Sequence, residues 1–165
     1  NVYNLNTGKT YMKIAKNLEP IISGISAAIV ITLLAFLTLK TSSGIWLMFS
    51  FGATVFIVFV LPELETAQPK NIFFGHLLTA LVGIIFVNFI SIPLYIMIPL
   101  SVALGVSLMI LLNVTHPPAG GNPIIAIMGS VSLDYLINPI IIGSLIILIF
   151  GVILNRLILK KKYPS

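Results

Sequence analysis

Cysteine is missing from all 165 residues, so a disulfide framework, a thiolate metal site and a cysteine nucleophile are excluded. Charge is nearly as scarce. Charged residues make up 8% of the chain and apolar ones 58%, against about a quarter and roughly half in an ordinary globular domain. A chain of that make-up cannot cover itself with polar groups in water. The shortage excludes a soluble enzyme, a disordered tail and a nucleic-acid-binding module. A formal net charge of +5 does not reopen the last case, because seven of the nine basic residues sit at the ends. Lys9, Lys13 and Lys16 precede the first apolar run, and Arg156, Lys160, Lys161 and Lys162 follow the last. Basic residues flank membrane spans in this way; a nucleic-acid surface gathers them into a stripe. The chain is a single-domain integral membrane protein.

What is present is a series of long apolar runs, at 20–39, 44–62, 72–90, 94–114 and 136–154. Each approaches the roughly 20 helical residues needed to cross a hydrocarbon core. The first is too long, and lacks the small-residue site, to be a cleaved signal sequence. Between the last two runs lies Thr115-His116-Pro117-Pro118-Ala119-Gly120-Gly121-Asn122-Pro123, which cannot continue a helix. It carries no fixed charge, so it belongs in protein or beside a polar cavity. An extended stretch of roughly 20 Å followed by nine helical residues of roughly 13 Å would together cross the membrane. A re-entrant loop is the alternative. Lysines at both ends favour an even number of crossings, either six or four, with both termini cytoplasmic.

The two halves can be superposed in sequence. Gly75 and Gly83 fall on Gly143 and Gly151 at an offset of 68 residues, and Gly52-Ala53-Thr54 falls near Gly121-Asn122-Pro123. The expected fold is therefore an all-α membrane bundle with a 3+3 inverted repeat, its broken or re-entrant helices at 44–62 and 117–133. Such repeats recur among transporters, with the binding site at discontinuous helices. Residues 1–19 read as a cytoplasmic N-terminal segment containing a short surface helix over 11–18. Residues 20–158 read as the transmembrane domain and 159–165 as a basic tail. Trp46, Tyr95 and Tyr135 are expected in the interfacial aromatic belts.

Four ordered motifs resemble the HPP family of integral membrane proteins: Phe51-Gly52-Ala53-Thr54, Ala67-Gln68-Pro69-Lys70-Asn71, the stretch from Gly75-His76 to Gly83, and His116-Pro117-Pro118-Ala119-Gly120. The segment Pro139-Ile140-Ile141-Ile142-Gly143-Ser144-Leu145 is also similar to the family's closing helix. Plant and cyanobacterial members have been linked to nitrite transport. The resemblance thus implies transport of nitrite or a similar small inorganic anion, and a cell inner or plasma membrane is the expected location. Some members carry a soluble domain after the membrane part.

The residues themselves supply a mechanism for such a site. A helix starting near Asn122 presents unpaired N–H groups and a partial positive charge, and Gly120 and Gly121 would let the backbone approach a ligand. Gly52, Ala53 and Thr54 would present a second helix end. His76 and His116 either attract the anion as imidazolium and couple it to a proton or serve as neutral partners of backbone carbonyls. Lys70 is either an interface anchor or a vestibule charge, and Asn71 is the expected cap of the third helix. The candidate substrate-binding set is therefore Gly52, Ala53, Thr54, Lys70, Asn71, His76, His116, Pro117, Pro118, Ala119, Gly120, Gly121 and Asn122. Gly75, Gly83, Gly143 and Gly151 are expected to pack helices closely. No metal site, cofactor or catalytic residue is expected. The partners are the lipid bilayer, the anion and a second copy of the chain, since so few helices enclose little on their own. A membrane enzyme using His76 and His116, and a structural or sensory module, are the rival functions.

Overall fold

The computed structural model describes residues 3–41 and 46–165, with side chains described from residue 17 onward. Among these residues every element is helical. Helix α1 covers Tyr3–Lys40 and α2 Phe49–Val60. A 3₁₀ turn at Glu65–Ala67 leads to α3, Pro69–Phe89. Helix α4 is Leu94–Leu111, and a second 3₁₀ turn, Pro117–Gly121, leads to the short α5, Asn122–Met128. The last helix has an α-helical centre, α6 at Ile142–Val152, with π-helical turns at Leu136–Ile141 and Ile153–Ile158.

Four of these stretches are long and apolar enough to cross a membrane: Asn17–Lys40, Pro69–Phe89, Leu94–Leu111 and Leu136–Ile158. The run at 44–62 is not a fifth full span, because α2 has only 12 residues and rises about 18 Å. The surface helix expected over 11–18 is not a separate element: α1 runs through it unbroken.

Contacts between the helix ends fix the course of the chain. At one end of the bundle, Thr38 Oγ1 near the close of α1 accepts from the backbone of Trp46 and Leu47. Tyr135, just before the last helix, donates to Met48 Sδ at the same end. At the other end Lys161 pairs with Glu19, Tyr163 donates to the Ala67 carbonyl at 2.9 Å, and His116 bonds the Thr66 carbonyl. The chain therefore passes between the two ends six times, four times by long helices and twice by short ones. The start of the first span and the end of the last share one face, as an even number of crossings requires. Up, down, up is followed by down, up, down, which is the order of an inverted repeat.

Local chemistry explains the boundaries. Gln68 is extended, as a residue before proline prefers, and Pro69 opens α3 at the first helical position, where its missing N–H costs nothing. The Gln68 amide donates to the carbonyls of Pro62 and Leu64 and ties the turn down. Asn71 is thus not the cap; it sits inside the first turn and donates to the Thr115 carbonyl. Helices α4 and α5 each end with a residue at positive φ, Asn113 and Ser130. The N–H of Val114 and of Val131 then reaches back to Met109 and Ala126, the six-to-one closure of a Schellman motif.

The four repeat glycines are closed to any side chain. A Cβ at Gly75 would lie 2.9 Å from His116 Cβ, and one at Gly83 would lie 2.7 Å from Ala126 Cβ and 2.8 Å from Pro123 Cα. At Gly143 it would lie 2.4 Å from Phe51, and at Gly151 2.4 Å from Val58. The glycines of α3 thus seat the broken helix of the second half, and those of the last helix seat α2 of the first. Each short helix lies in a groove cut by the other half. The principal core, with Val30, Phe51, Phe59, Ile84, Ile140 and Ile147, fills the space between them.

Tyr135 is buried, 5% exposed, with its hydroxyl on Met48, and so does not stand in an aromatic belt. Tyr95 is exposed at the start of α4. Within the basic tail Tyr163 is buried, 1% exposed, and burial pushes its phenol pKa up.

Candidate functional site: a buried polar node

A cluster of polar side chains lies where α2, α3 and the Pro117–Gly121 turn meet. Thr54, His76, Thr79, His116 and Asn122 are fully buried, and Ser50 is 7% exposed. They arrive from four pieces of local structure. Ser50 and Thr54 are one turn apart on α2, as are His76 and Thr79 on α3. His116 is held extended before Pro117-Pro118, which forces the imidazole out of any helix and toward α2. Asn122 opens α5.

Thr54 Oγ1 stands at the centre. It lies 2.9 Å from Nε2 of His76, 2.9 Å from Nε2 of His116 and 3.0 Å from the Ser50 carbonyl. Behind His116, Nδ1 lies 2.7 Å from the Thr66 carbonyl. Behind His76, Nδ1 lies 3.0 Å from Asn122 Nδ2. The Asn122 amide also reaches the His76 carbonyl and Thr79 Oγ1, while its oxygen accepts from Ser50. The ring centroids of the two histidines are 5.0 Å apart, and Phe51 meets His76 edge-on at 5.2 Å. Along α3, His76 and Thr79 lie roughly 10–15 Å from the start of the helix, well inside the bundle. Polar groups so placed are costly unless paired, and here each of the six side chains has a partner.

Of the thirteen residues expected at the site, Thr54, His76, His116 and Asn122 are brought together. Asn71 supports them from behind through Thr115. Ala119 is buried nearby in a cluster with Met109 and Val114. Gly52 and Ala53 are turned away: Gly52 lines an apolar groove of about 600 Å³ between α1 and α2, with Pro20, Gly24 and Phe56. Lys70 and Pro117 are exposed, and Pro118 is half-buried. Gly120 and Gly121 are half-buried, and a Cβ at either would meet nothing within 4 Å. Gly121 has φ −79°, so the backbone there demands no glycine. Ser50 and Thr79 were not among the expected residues. Their signal was a hydroxyl one helical turn from Thr54 and from His76 on otherwise apolar helices. Among the described residues no group of three or more His, Asp or Glu could hold a metal ion.

Fold and node together define a multi-pass helical membrane protein with broken helices meeting at a buried polar centre. The chain belongs to the HPP family, whose transmembrane region matches residues 12–164. It is similar to two transmembrane proteins of Dictyostelium discoideum. One is 32% identical over 70% of this chain and 43% of the relative. The other is 29% identical over 87% of this chain and 48% of the relative. The chain thus spans just under half the length of the curated relatives it matches. No solved structure matches it.

Proposed function

We propose that this protein carries a small monovalent inorganic anion, nitrite first among the candidates, across its membrane through the His76–Thr54–His116 node. The single observation behind this is convergence: two imidazole Nε2 atoms, each 2.9 Å away, aim at one oxygen. Nitrogen-to-oxygen spacing of that size is what a ring N–H needs to bind an anionic oxygen, and charge-assisted bonds of this kind are roughly twice as strong as neutral ones. The Thr54 hydroxyl holds the position that such an oxygen would take. Moderate donors without a fixed countercharge suit a carrier, since a site that binds too tightly does not release. The two short helices that supply Ser50, Thr54 and Asn122 are the elements whose displacement would open the node, with both termini on the cytoplasmic side. A second copy of the chain would enlarge the wall around that path.

The test is uptake. Purified protein reconstituted in sealed vesicles should accelerate nitrite entry over protein-free vesicles, with formate and nitrate as competitors, and His76→Ala should remove the acceleration. Equal entry with and without protein would leave the node as a packing device of a structural or sensory module.

A further inference from the structure

The hydrogen-bond geometry of the node counts protons. The Thr66 carbonyl can only accept, so His116 Nδ1 carries a hydrogen. The Asn122 amide presents its NH₂ end to His76, because that end also meets the His76 carbonyl. An amide nitrogen cannot accept, so His76 Nδ1 is bare and its Nε2–H donates to Thr54 Oγ1. Both histidine tautomers and the amide are thereby fixed from behind. One hydroxyl hydrogen remains, on Thr54, with two destinations: His116 Nε2 or the Ser50 carbonyl.

With both imidazoles neutral, that hydrogen must go to His116 Nε2, and the 3.0 Å contact to Ser50 goes unused. All the contacts of Thr54 are satisfied together only when His116 Nε2 also carries a hydrogen. The hydroxyl then accepts from both rings and donates to Ser50. We infer that the node is a one-proton site: His116 takes a proton from water at Nε2, the Thr54 hydroxyl swings from His116 to the Ser50 carbonyl, and the transported anion supplies the countercharge. This rests on the anion-carrier function proposed above and names its coupling ion.

Among the described residues no other group is placed to neutralise the imidazolium. The elements packed against the Pro117–Gly121 turn are α2, α3, α4 and α5. Helices α2 and α5 carry no titratable residue, α4 carries only Tyr95, which is exposed, and α3 carries Lys70, also exposed, and His76. Glu63 and Glu65 in the α2–α3 connection are exposed. A buried charge without a partner is expensive, so loading of the proton and of the anion stabilise each other. Proton and anion move together, one of each, and the cycle carries no net charge.

The chain has two histidines, so ¹⁵N-histidine labelling reads the site directly. In lipid vesicles with sodium nitrite, lowering the pH should convert one histidine, identified by its loss in His116→Gln, from the Nδ1–H form to the doubly protonated form. The other should stay in the Nε2–H form. Thr54→Ser should keep this titration, and Thr54→Val should move it at least one pH unit lower. If His116 stays singly protonated over the pH range in which circular dichroism reports an intact fold, or if His76 titrates instead, the one-proton site is wrong. Flux then tests coupling. With an internal pH dye and a valinomycin-clamped potential, the nitrite entry above that of protein-free vesicles should acidify the lumen one for one and ignore the potential. Protein-dependent nitrite entry that follows the potential without protons would overturn the coupling and leave the carrier standing. No protein-dependent entry, with His116 still titrating, would overturn the carrier and leave the proton site standing.

Discussion

The two halves of the bundle share an architecture and differ in chemistry. In each, a long, a short and a long helix follow one another, and the second long helix carries two glycines eight residues apart that seat the opposite half's short helix. Positions related by the 68-residue offset nevertheless carry different groups. Thr54 corresponds to Asn122, and both enter the node. His76, bonded on both ring nitrogens, corresponds to Ser144, which is fully buried and whose hydroxyl has no partner. Backbone symmetry is therefore a matter of packing, held by small residues. The chemistry is asymmetric: each half gives the node one imidazole, His76 and His116, but from positions that the repeat does not relate.

The largest effects should come from breaking the shared packing. Gly83→Val would drive a side chain into Pro123 and Ala126, and Gly151→Val would drive one into Val58. Overpacking of this kind costs about 1–3 kcal/mol and occasionally more. Both variants should melt lower in detergent, Gly83→Val by more, because its nearest neighbours include backbone, which cannot rotate away. An unshifted melting temperature in either would break the correspondence between the halves.

Next in size is the contrast between Asn122 and Ser144. Asn122→Ala leaves the Ser50 hydroxyl without its acceptor and His76 Nδ1 without its donor, and each buried group left unpaired costs about 1–3 kcal/mol. Stability and nitrite flux should fall together. Ser144→Ala removes a buried hydroxyl that bonds nothing and should leave melting unchanged or raise it slightly. A large loss in Ser144→Ala would show that the second half has a polar centre of its own.

A pH effect sharpens the same asymmetry. Because the proton favours the loaded node, flux should rise as pH falls, and His116→Gln should flatten the profile without lowering the melting temperature by more than a few degrees. An identical profile in the variant would return His116 to a structural role. The smallest effect belongs to the open glycines. Gly120→Ala should cost no more than about a few tenths of a kcal/mol, because a Cβ there meets nothing within 4 Å. Gly121→Val should also fold, since a Cβ there meets nothing within 4 Å. Normal flux through Gly121→Val would place the anion's path away from that turn.

The spans and the glycine pairs were legible in the sequence because length and small-residue spacing are local signals. The two short helices were legible as interruptions: three prolines and two glycines at 115–123 cannot be a plain helix. The node was half legible. His76, His116 and Thr54 stand out as polar residues in apolar surroundings, and Asn122 stands out as the start of the helix that follows the prolines. Ser50 and Thr79 did not stand out, because a lone hydroxyl on a membrane helix usually bonds its own backbone, and Thr79 indeed donates to the Gly75 carbonyl as well. Gly120 and Gly121 misled in the opposite direction, since glycine beside proline suggests ligand approach whether or not the space is used. The cap of α3 was misassigned because Asn71 suits a cap chemically, while Pro69 had already set the start two residues earlier.

The exchange of short helices between the halves also bears on how the chain is made. Helix α2 leaves the ribosome some ninety residues ahead of Gly143 and Gly151, the notches that hold it. Until the last helix arrives, Ser50 and Thr54 have neither Asn122 nor a finished groove, and hydroxyls in hydrocarbon without partners are unfavourable. The first half therefore has to wait, shielded by lipid headgroups, translocon or chaperone, for the second to be inserted. Such long-range dependence slows assembly and widens the window for misfolding. Substitutions at Gly143 and Gly151 should accordingly reduce the yield of inserted protein by more than their effect on the finished bundle accounts for.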